Sequence, residues 1–413
     1  MRVVFVALSV LSTMISAPAQ AQDLVQQAHY CENRDNAYAA DLAISGCTAL
    51  IRSGRFDDEI LAGAFGRRGR VYLSLQDYEQ AIADFDQVLA LNPRSAPAFI
   101  NRGAAYHGQG DYARAIVDYN QALSIAPSDV LALINRATSY YFQGDFARAL
   151  ADYDQAIQLT PDAWLPLFYR GNIYYQQGDY TRAIAEYDQA IRLNPQYADT
   201  LNNRGLAYRA QGDDARAIAD YDQAIRLNPQ FALAFNNRGF SYQVQGDYAR
   251  AIADYDQAIR LNPQYAHAFH NRGLAYQAQG NYARAIAEYD QAGALDSNDA
   301  SFQNSRCWAR AIANRELDVA RAACDASLRL RPGDASTLDS RGMVGLKQQR
   351  WQDAWNDYDA AVQANASHAG YHYGRGVAAL RLGRTVEGQA DIARATQLDA
   401  SIARTYAGYD VTP

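Results

Sequence analysis

Residues 232–265 read ALAFNNRGFSYQVQGDYARAIADYDQAIRLNPQY, and residues 198–231 before them read ADTLNNRGLAYRAQGDDARAIADYDQAIRLNPQF. Apolar and aromatic residues recur at intervals of about 3.6 residues in each half, which is typical of two amphipathic helices. The Gln-Gly-Asp stretch between the halves predicts a chain reversal, because glycine adopts positive φ without strain. Proline then ends the second helix. The stretch therefore predicts a helical hairpin.

The same unit recurs along most of the chain with a period of 34 residues. Its first helix carries a small residue at Gly69, Gly103, Ala137, Gly171, Gly205, Gly239 and Gly273. Its second helix carries an aromatic residue at Phe85, Tyr119, Tyr153, Tyr187, Tyr221, Tyr255 and Tyr289. We expect the turn glycines to have positive φ and these aromatic rings to form the core. One hairpin cannot bury its apolar face alone, so neighbouring units must stack.

This pattern closely resembles the tetratricopeptide repeat family, which places Gly/Ala, Tyr, Ala, Phe/Tyr, Ala and Pro at positions 8, 11, 20, 24, 27 and 32 of each unit. In that register the clear units begin at Ala62, Ala96, Val130, Trp164, Ala198, Ala232 and Ala266. The resemblance implies an all-α fold, an α-solenoid of about 10–11 tandem helix-turn-helix units in a right-handed superhelix with a concave groove.

The first residues have the pattern of a secretory signal. Arg2 supplies a positive charge, residues 3–15 form an apolar stretch, and Ala19-Gln20-Ala21 is a small-x-small cleavage site. We therefore expect residues 1–21 to be a Sec-type signal peptide and the mature chain to be periplasmic or secreted. A membrane anchor is the alternative, but the apolar run is too short to span roughly 30 Å of hydrocarbon. The sequence has no cysteine near the cleavage site that could carry a lipid anchor. No integral membrane segment is expected after cleavage.

The remaining chain is divided by how well it follows the repeat. We expect a diverged N-terminal helical hairpin in residues 22–61, regular repeats in 62–299, degenerate repeats in 300–402 and a C-terminal tail in 403–413. The degenerate repeats retain Gly342, Ala354, Tyr358 and Ala361 at family positions.

The charge pattern restricts the class of partner. The formal net charge is −7 over 413 residues, and acids and bases alternate along the chain. A nucleic-acid-binding protein would need a stripe of Lys and Arg to displace counterions, and no such stripe is visible. The expected partner is therefore a protein or peptide of unknown identity, not a nucleic acid.

The four cysteines become interpretable in the repeat register. Cys31 and Cys47 are 16 residues apart, which matches positions 8 and 24 of one hairpin. Cys307 and Cys324 take the same two positions when one residue inserted in the turn near Asn314 is allowed for. We predict the disulfides Cys31–Cys47 and Cys307–Cys324, each closing a loop of about 16 residues and contributing roughly 3 kcal/mol. The alternatives are four buried free thiols or, less favoured by the spacing, a metal site.

By the same resemblance, positions 2, 5, 6, 9, 12 and 13 of each first helix face the groove. Position 6 carries Asn101, Asn135, Tyr169, Asn203, Asn237 and Asn271, with Asn202, Asn236 and His270 beside them at position 5 and Arg209 at position 12. In some family members asparagine at this position grips the backbone of a ligand. A carboxamide can do so because it offers both donors and an acceptor. The alternatives are that these asparagines cap or bridge neighbouring repeats, or that they recur only because the repeats were duplicated.

Other charged residues have simpler interpretations. The arginines at position 19, such as Arg114 and Arg250, are expected to pair with the acidic residue four positions later on a solvated helix face. The Asp-Tyr-Asp runs of the second helices repeat in register and are interpreted as part of the scaffold. His368 and His372 share one helix face but are only a weak metal signal.

No phosphate-binding loop, nucleophile elbow or metal cluster is visible, and hardly any residue lies outside the repeat. We therefore expect a non-catalytic scaffold or adaptor of the cell envelope, with no cofactor and no metal, that binds a partner polypeptide in its groove. The alternatives are a chaperone-like holder of exported chains and a structural subunit of an envelope complex.

Overall fold

The structure of the chain is a computed structural model that describes residues 19–33 and 38–413. The predicted signal peptide therefore lies almost entirely outside the described residues. Every described element is a helix and no strand occurs within these ranges, which confirms the all-α prediction. The chain divides into two compact units, one ending at Pro195 and the other beginning at Gln196.

The first unit contains ten described helices. They are α1 (Ala19–Glu32), α2 (Ala40–Ser53), α3 (Asp58–Ser74), α4 (Tyr78–Leu91), α5 (Ala96–Gly108), α6 (Tyr112–Ile125), α7 (Val130–Phe142), α8 (Phe146–Leu159), α9 (Trp164–Gln176) and α10 (Tyr180–Leu193). Each odd-numbered helix packs against the even-numbered helix that follows it, and each such hairpin packs on the next.

The second unit contains thirteen helices. They are α11 (Ala198–Ala210), α12 (Asp214–Leu227), α13 (Ala232–Val244), α14 (Tyr248–Leu261), α15 (Ala266–Ala278), α16 (Tyr282–Leu295), α17 (Ala300–Ile312), α18 (Leu317–Leu330), α19 (Ala335–Lys347), α20 (Trp351–Ala364), α21 (Ala369–Arg381), α22 (Thr385–Leu398) and α23 (Ile402–Ala407). Hairpins again pair in order along the unit, as expected for an α-solenoid.

The turn inside each hairpin follows from two residues. Gly212 has φ +82°, and it reverses the chain so that its own N–H donates to Arg209 O and the next N–H donates to Tyr208 O. These two bonds satisfy carbonyl groups at the end of α11. Asp213 then begins α12 by accepting a bond from the backbone N–H of Arg216. Positive φ at the equivalent glycines of the other regular units confirms the predicted turn.

The core of each hairpin is built from its small and aromatic residues. Tyr221 and Ala217 of α12 are 0% exposed, and they lie against α11. A Cβ atom built on Gly205 would lie 2.6 Å from the Tyr221 ring, so glycine allows the two helices to approach closely. Ala137 occupies the equivalent position in α7, and its partner Tyr153 is also fully buried. The expected aromatic core is therefore confirmed.

Candidate functional site

The odd-numbered helices α3 to α15 are the first helices of the regular repeats. We call the residues at positions 2, 5, 6, 9, 12 and 13 of these helices, and of the corresponding helices α17 to α21, the first-helix face. The predicted site residues lie on this face in both units. Their hydrogen bonds divide them into two groups.

In the second unit the asparagines are bonded to one another. Asn237 Nδ2 donates to Asn202 Oδ1 at 2.9 Å, and Asn271 Nδ2 donates to Asn236 Oδ1 at 3.0 Å. Asn202 also donates to Asn203 Oδ1 at 3.1 Å. Position 5 of one repeat is therefore bonded to position 6 of the next, and these carboxamides bridge repeats as the alternative interpretation expected.

His270 continues the same series at position 5. Its Nε2 lies 2.9 Å from Ser305 Oγ, and serine stands at position 6 of that repeat. Burial lowers the pKa of His270 to about 4, so the imidazole is neutral at physiological pH. His270 therefore serves the same bridge as the asparagine pairs.

In the first unit, Asn101 and Asn135 form no side-chain hydrogen bond within the described part of the chain. The cause is the residue at position 5 of the preceding repeat, which is Gly66 for Asn101 and Ile100 for Asn135. Neither can accept or donate a side-chain bond. Both asparagines are half-buried, and their donors and acceptors remain available.

A cavity of about 660 Å³ adjoins Asn101 on the first-helix face of the first unit. Gly63 and Gly66 leave space in its wall, and Val88 and Phe85 of α4 contribute apolar surface. Arg67, Arg70, Asp58 and Glu59 supply charged groups of both signs. The cavity thus combines an apolar wall with groups suited to a polar main chain.

Aromatic side chains continue the face beyond Asn135. Tyr141 lies with its ring centroid 5.5 Å from that of Tyr169, and its hydroxyl accepts a bond from Gln176 Nε2 at 2.8 Å. Phe142 is 50% exposed and stacks on Tyr112 with ring centroids 5.5 Å apart. Tyr169, which interrupts the asparagine series, also stacks on the core residue Tyr153. Offset rings of this kind present rigid apolar area to a partner.

Arg209 of the second unit is held by an aromatic ring. Its guanidinium lies 4.7 Å from the centroid of Phe240 in the next first helix. This cation–π contact fixes the side chain between two repeats.

A series of arginine–carboxylate bonds joins the repeats in both units. Arg238 at position 7 donates from Nε and Nη2 to both oxygens of Asp254 at 2.8 and 2.7 Å, and from Nη1 to Asp222 of the preceding repeat at 2.6 Å. Asp254 is 6% exposed, and its burial raises the pKa of its carboxyl, although Arg238 opposes that shift. Arg102, Arg341 and Arg375 bind two aspartates in the same way. Arg170 and Arg272 also join two second helices, but each binds a glutamate of its own hairpin through Nη2 alone. Arg136 binds Asp152 of its own hairpin and the carboxamide oxygen of Asn120 in the preceding one.

Sequence reasoning missed this pairing, although it had assigned the Asp-Tyr-Asp runs to the scaffold. The signal was present as the constant spacing of 16 residues between Arg238 and Asp254, which is also the spacing of Cys31 and Cys47. The structure shows that residues with this spacing face each other across a hairpin.

The predicted pairing of the position-19 arginines is wrong. Arg250 binds Asp247, three residues before it, with Nε and Oδ2 2.6 Å apart, and its guanidinium lies 4.2 Å from the Tyr242 ring centroid. The expected partner, Asp254, is already bound by Arg238. The side chain of Arg250 is 60% exposed, so the solvated position was correctly expected and only the partner differs.

The cysteine pairs lie where the register placed them. The sulfur atoms are 2.09 Å apart in Cys31–Cys47 and 2.07 Å apart in Cys307–Cys324. All four residues are buried, and each pair joins the first helix of a hairpin to the second.

Two further properties of the described residues bear on function. Among them, no group of three or more His, Cys, Asp or Glu side chains is arranged to hold a metal ion. His372 instead contacts Asp391 and the carbonyl of Ala366. Within the same residues, the structure contains no helix with the length and apolarity needed to cross a membrane.

Comparison with solved structures gives relatives of the fold. The Cut9–Hcn1 hetero-tetramer of the APC/C has a chain that aligns with a TM-score of 0.52 at 13% identity, covering 97% of each chain. A tetratricopeptide repeat protein from Parabacteroides merdae aligns with a TM-score of 0.48 at 21% identity, covering 59% of this chain and 97% of that one. YrrB, described as having an unusual peptide-binding site, aligns with a TM-score of 0.39 at 22% identity, covering 46% and 97%.

Comparison with curated protein sequences gives no match. Family models give several. A TPR repeat model matches residues 171–212, 205–246 and 244–280, and two tetratricopeptide repeat models match 67–130, 341–401, 130–163 and 266–299. Together these matches cover more than half of the chain, and their register agrees with the hairpins described above. The chain therefore belongs to the tetratricopeptide repeat family, whose members are generally non-catalytic scaffolds for protein–protein interaction.

Proposed function

We propose that this scaffold binds an extended segment of a partner polypeptide on the first-helix face of its first unit. The observation that carries the proposal is the state of Asn101 and Asn135, whose carboxamides form no side-chain bond in the described chain. Each carboxamide offers two donors and an acceptor, which match the N–H and C=O groups of an extended peptide. The asparagines of the second unit are not proposed as ligand contacts, because their bonds link repeats.

Two carboxamides supply only part of the affinity, since a hydrogen bond contributes about 1 kcal/mol net. The apolar surface beside them supplies the rest. Leu131 is 57% exposed and Phe142 50% exposed on the same helix as Asn135. Covering such side chains contributes about 25 cal/mol for each Å² of apolar area removed from water. We infer a ligand that presents apolar side chains alternately with exposed backbone.

We place the protein in the cell envelope. The signal pattern of residues 1–21 supports this location, as do two cysteine pairs at bonding distance, because disulfides persist in oxidising compartments. We propose an adaptor without enzymatic activity, as is general for tetratricopeptide repeat proteins. A chaperone-like holder of exported chains and a structural subunit of an envelope complex are the alternatives.

The test uses a photo-crosslinking amino acid at two matched positions in cells. Leu131 lies on the first-helix face, and Val117 lies on the second helix α6; both are 57% exposed. We expect a crosslinked polypeptide at Leu131 and none at Val117. One or a few discrete adducts would indicate an adaptor, and a broad distribution would indicate a holder.

The asparagines are tested in the same assay. The double substitution Asn101→Ala/Asn135→Ala should reduce the Leu131 adduct at least tenfold. Asn237→Ala, which removes a bond between repeats of the second unit, is the control and should leave the adduct in place. Equal adducts in all three proteins would disprove the proposed role of Asn101 and Asn135.

A further inference from the structure

Residues 402–413, which we call the C-terminal segment, fold onto the last three repeats. The segment begins as helix α23 and ends in a tight reversal, where Val411 N–H donates to Tyr406 O and Asp410 N–H donates to Ala407 O, both at 3.0 Å. Asp410 has φ +55°, as the residue after a helix often does in this motif. The reversal turns Val411 back toward the protein.

Three side chains of the segment are inserted into the second unit. Ile402, Tyr406 and Val411 are 7%, 3% and 6% exposed and belong to one apolar cluster with Met343 and Val377. These two residues stand at position 9 of α19 and α21. The segment is therefore anchored on first helices by apolar side chains.

Aromatic contacts extend the anchor across three repeats. The Tyr406 ring lies 4.6 Å from that of Tyr373 in α21, and the Tyr409 ring lies 5.7 Å from that of Trp308 in α17. Trp308 and Tyr373 occupy positions 9 and 5 of their repeats, which belong to the first-helix face. The segment therefore crosses this face from the last repeat toward the third from last.

The face also contacts the backbone of the segment. Lys347 Nζ donates to the carbonyl of Tyr409, and Arg381 Nη2 donates to the carbonyl of Thr412 at 3.3 Å. Both donors are at position 13 of their first helices. Contacts to carbonyl oxygens do not depend on the ligand's side chains, so the surface recognises main chain as well as apolar anchors.

These repeats differ from the regular ones at position 6. Ser305, Ser340 and Gly374 replace asparagine there. The Tyr406 hydroxyl donates to the carbonyl of Gly370 at 2.8 Å, and a Cβ atom on Gly370 would lie 3.3 Å from that hydroxyl. Small residues thus leave room on this part of the face for the segment.

We propose that the first-helix face of the last three repeats is a second peptide-binding surface, occupied in the isolated chain by its own C-terminal segment. Its ligand is a helical turn followed by a reversal, with two tyrosines and one β-branched residue in the order Tyr-x-x-Tyr-x-Val. A partner with this pattern displaces the segment. The surface shares no residue with the site at Asn101 and Asn135, so either proposal can fail without the other.

Two features support displacement over a permanent structural role. Helix α23 has only six residues, too few to be stable alone, so a released segment has no folded state of its own. A cavity of about 260 Å³ remains beside Asp410, Val411 and Thr412, lined also by Trp351 and Arg381. The end of the segment therefore borders open space on one side.

The test uses the full chain and a fluorescent peptide of residues 400–413. Val411→Asp places a charge in the apolar contact and should release the segment in cis. We expect the peptide to bind this variant at least tenfold more tightly than it binds the unmodified chain, by fluorescence anisotropy. The control is Val386→Asp on α22, where the side chain is 85% exposed and the peptide affinity should not change. A peptide that itself carries Val411→Asp should not bind.

A second variant, Tyr406→Ala/Val411→Asp, covers the case in which one substitution leaves the segment attached. Hydrogen exchange at the amides of 402–413 reports its release, and circular dichroism reports that the repeats remain folded. If both variants retain their helix content and neither binds the peptide more tightly than the unmodified chain, the segment is a permanent cap and the proposal is wrong.

Discussion

Replacing Arg238 by alanine should destabilise the repeats around it far more than replacing Arg250, although both arginines form short ion pairs in the same hairpin region. Arg238 binds Asp254 through two bonds and Asp222 through a third. Arg250 forms an ion pair with one carboxylate, that of Asp247 at the helix start, and contacts the Tyr242 ring. The two substitutions remove the same side chain from different environments.

The magnitude follows from burial. Side-chain exposure is 19% for Arg238 and 9% for Asp254, whereas that of Arg250 is 60%. Without Arg238, the carboxylate of Asp254 remains buried without the cation that is hydrogen-bonded to it. Breaking a fully buried pair costs 3–5 kcal/mol, and the partial exposure of Arg238 places this case near the lower limit, at about 3 kcal/mol. Exposed pairs contribute little, so Arg250→Ala should resemble the unmodified protein.

Native-state hydrogen exchange is the suitable assay, because a long repeat array does not unfold in one two-state step. A loss of about 3 kcal/mol accelerates exchange in α13 and α14 roughly a hundredfold, since about 1.4 kcal/mol corresponds to a factor of ten. Adding Asp254→Ala to Arg238→Ala should restore part of the protection, because it removes the unpaired buried charge. Equal exchange rates in Arg238→Ala and Arg250→Ala would refute the reasoning.

Three further predictions follow from individual contacts. Arg272 Nε is buried without a partner, because the acid facing it is Glu288 and not an aspartate such as Asp254. Glu288→Asp should allow both Nε and Nη2 of Arg272 to donate hydrogen bonds and should stabilise α15 and α16 by roughly 1 kcal/mol. Unchanged hydrogen exchange in these helices would contradict this. Burial raises the pKa of Asp339 to about 7, so the folded state favours the protonated carboxyl and stability falls as the pH rises from about 4 through 7. The melting temperature of Asp339→Asn should therefore fall less between pH 5 and pH 8 than that of the unmodified protein. Parallel curves of melting temperature against pH would argue against the raised pKa. The unreduced protein should weigh four hydrogens less than the reduced one, and reduction should weaken each cysteine-linked hairpin by roughly 3 kcal/mol; four free thiols would remove both expectations.

The fold could be predicted from sequence because one pattern is repeated many times. The burial of Tyr221, the close approach at Gly205 and the positive φ of Gly212 each follow from a residue type at a fixed position. Stacking then follows, because a single hairpin has too little partner surface to bury its apolar face. The ion-pair partner of Arg250 could not be predicted from helix spacing alone, since the competing Arg238 comes from another helix.

The candidate site was harder to predict, because a carboxamide can bond to a ligand or to a neighbour. The sequence pattern treated Asn101 and Asn237 alike. The structure distinguishes them by the residue at position 5 of the preceding repeat, which is Gly66 in one case and Asn202 in the other. This difference is visible in the sequence when each position-6 residue is compared with the residue 35 positions before it. The docking of the C-terminal segment was not visible, because it depends on a reversal at Asp410 outside the repeat pattern.

The arginine–carboxylate series also bears on how such a chain can change length. Arg238 uses one carboxylate from its own hairpin and one from the hairpin before it. Whole hairpins can therefore be duplicated or deleted with every internal charge still matched, provided the copied unit carries both aspartates. A cut inside a hairpin would instead separate an arginine from its acid. The close similarity of residues 198–231 and 232–265 fits growth by whole units, and it makes this stretch a natural place to insert a designed repeat.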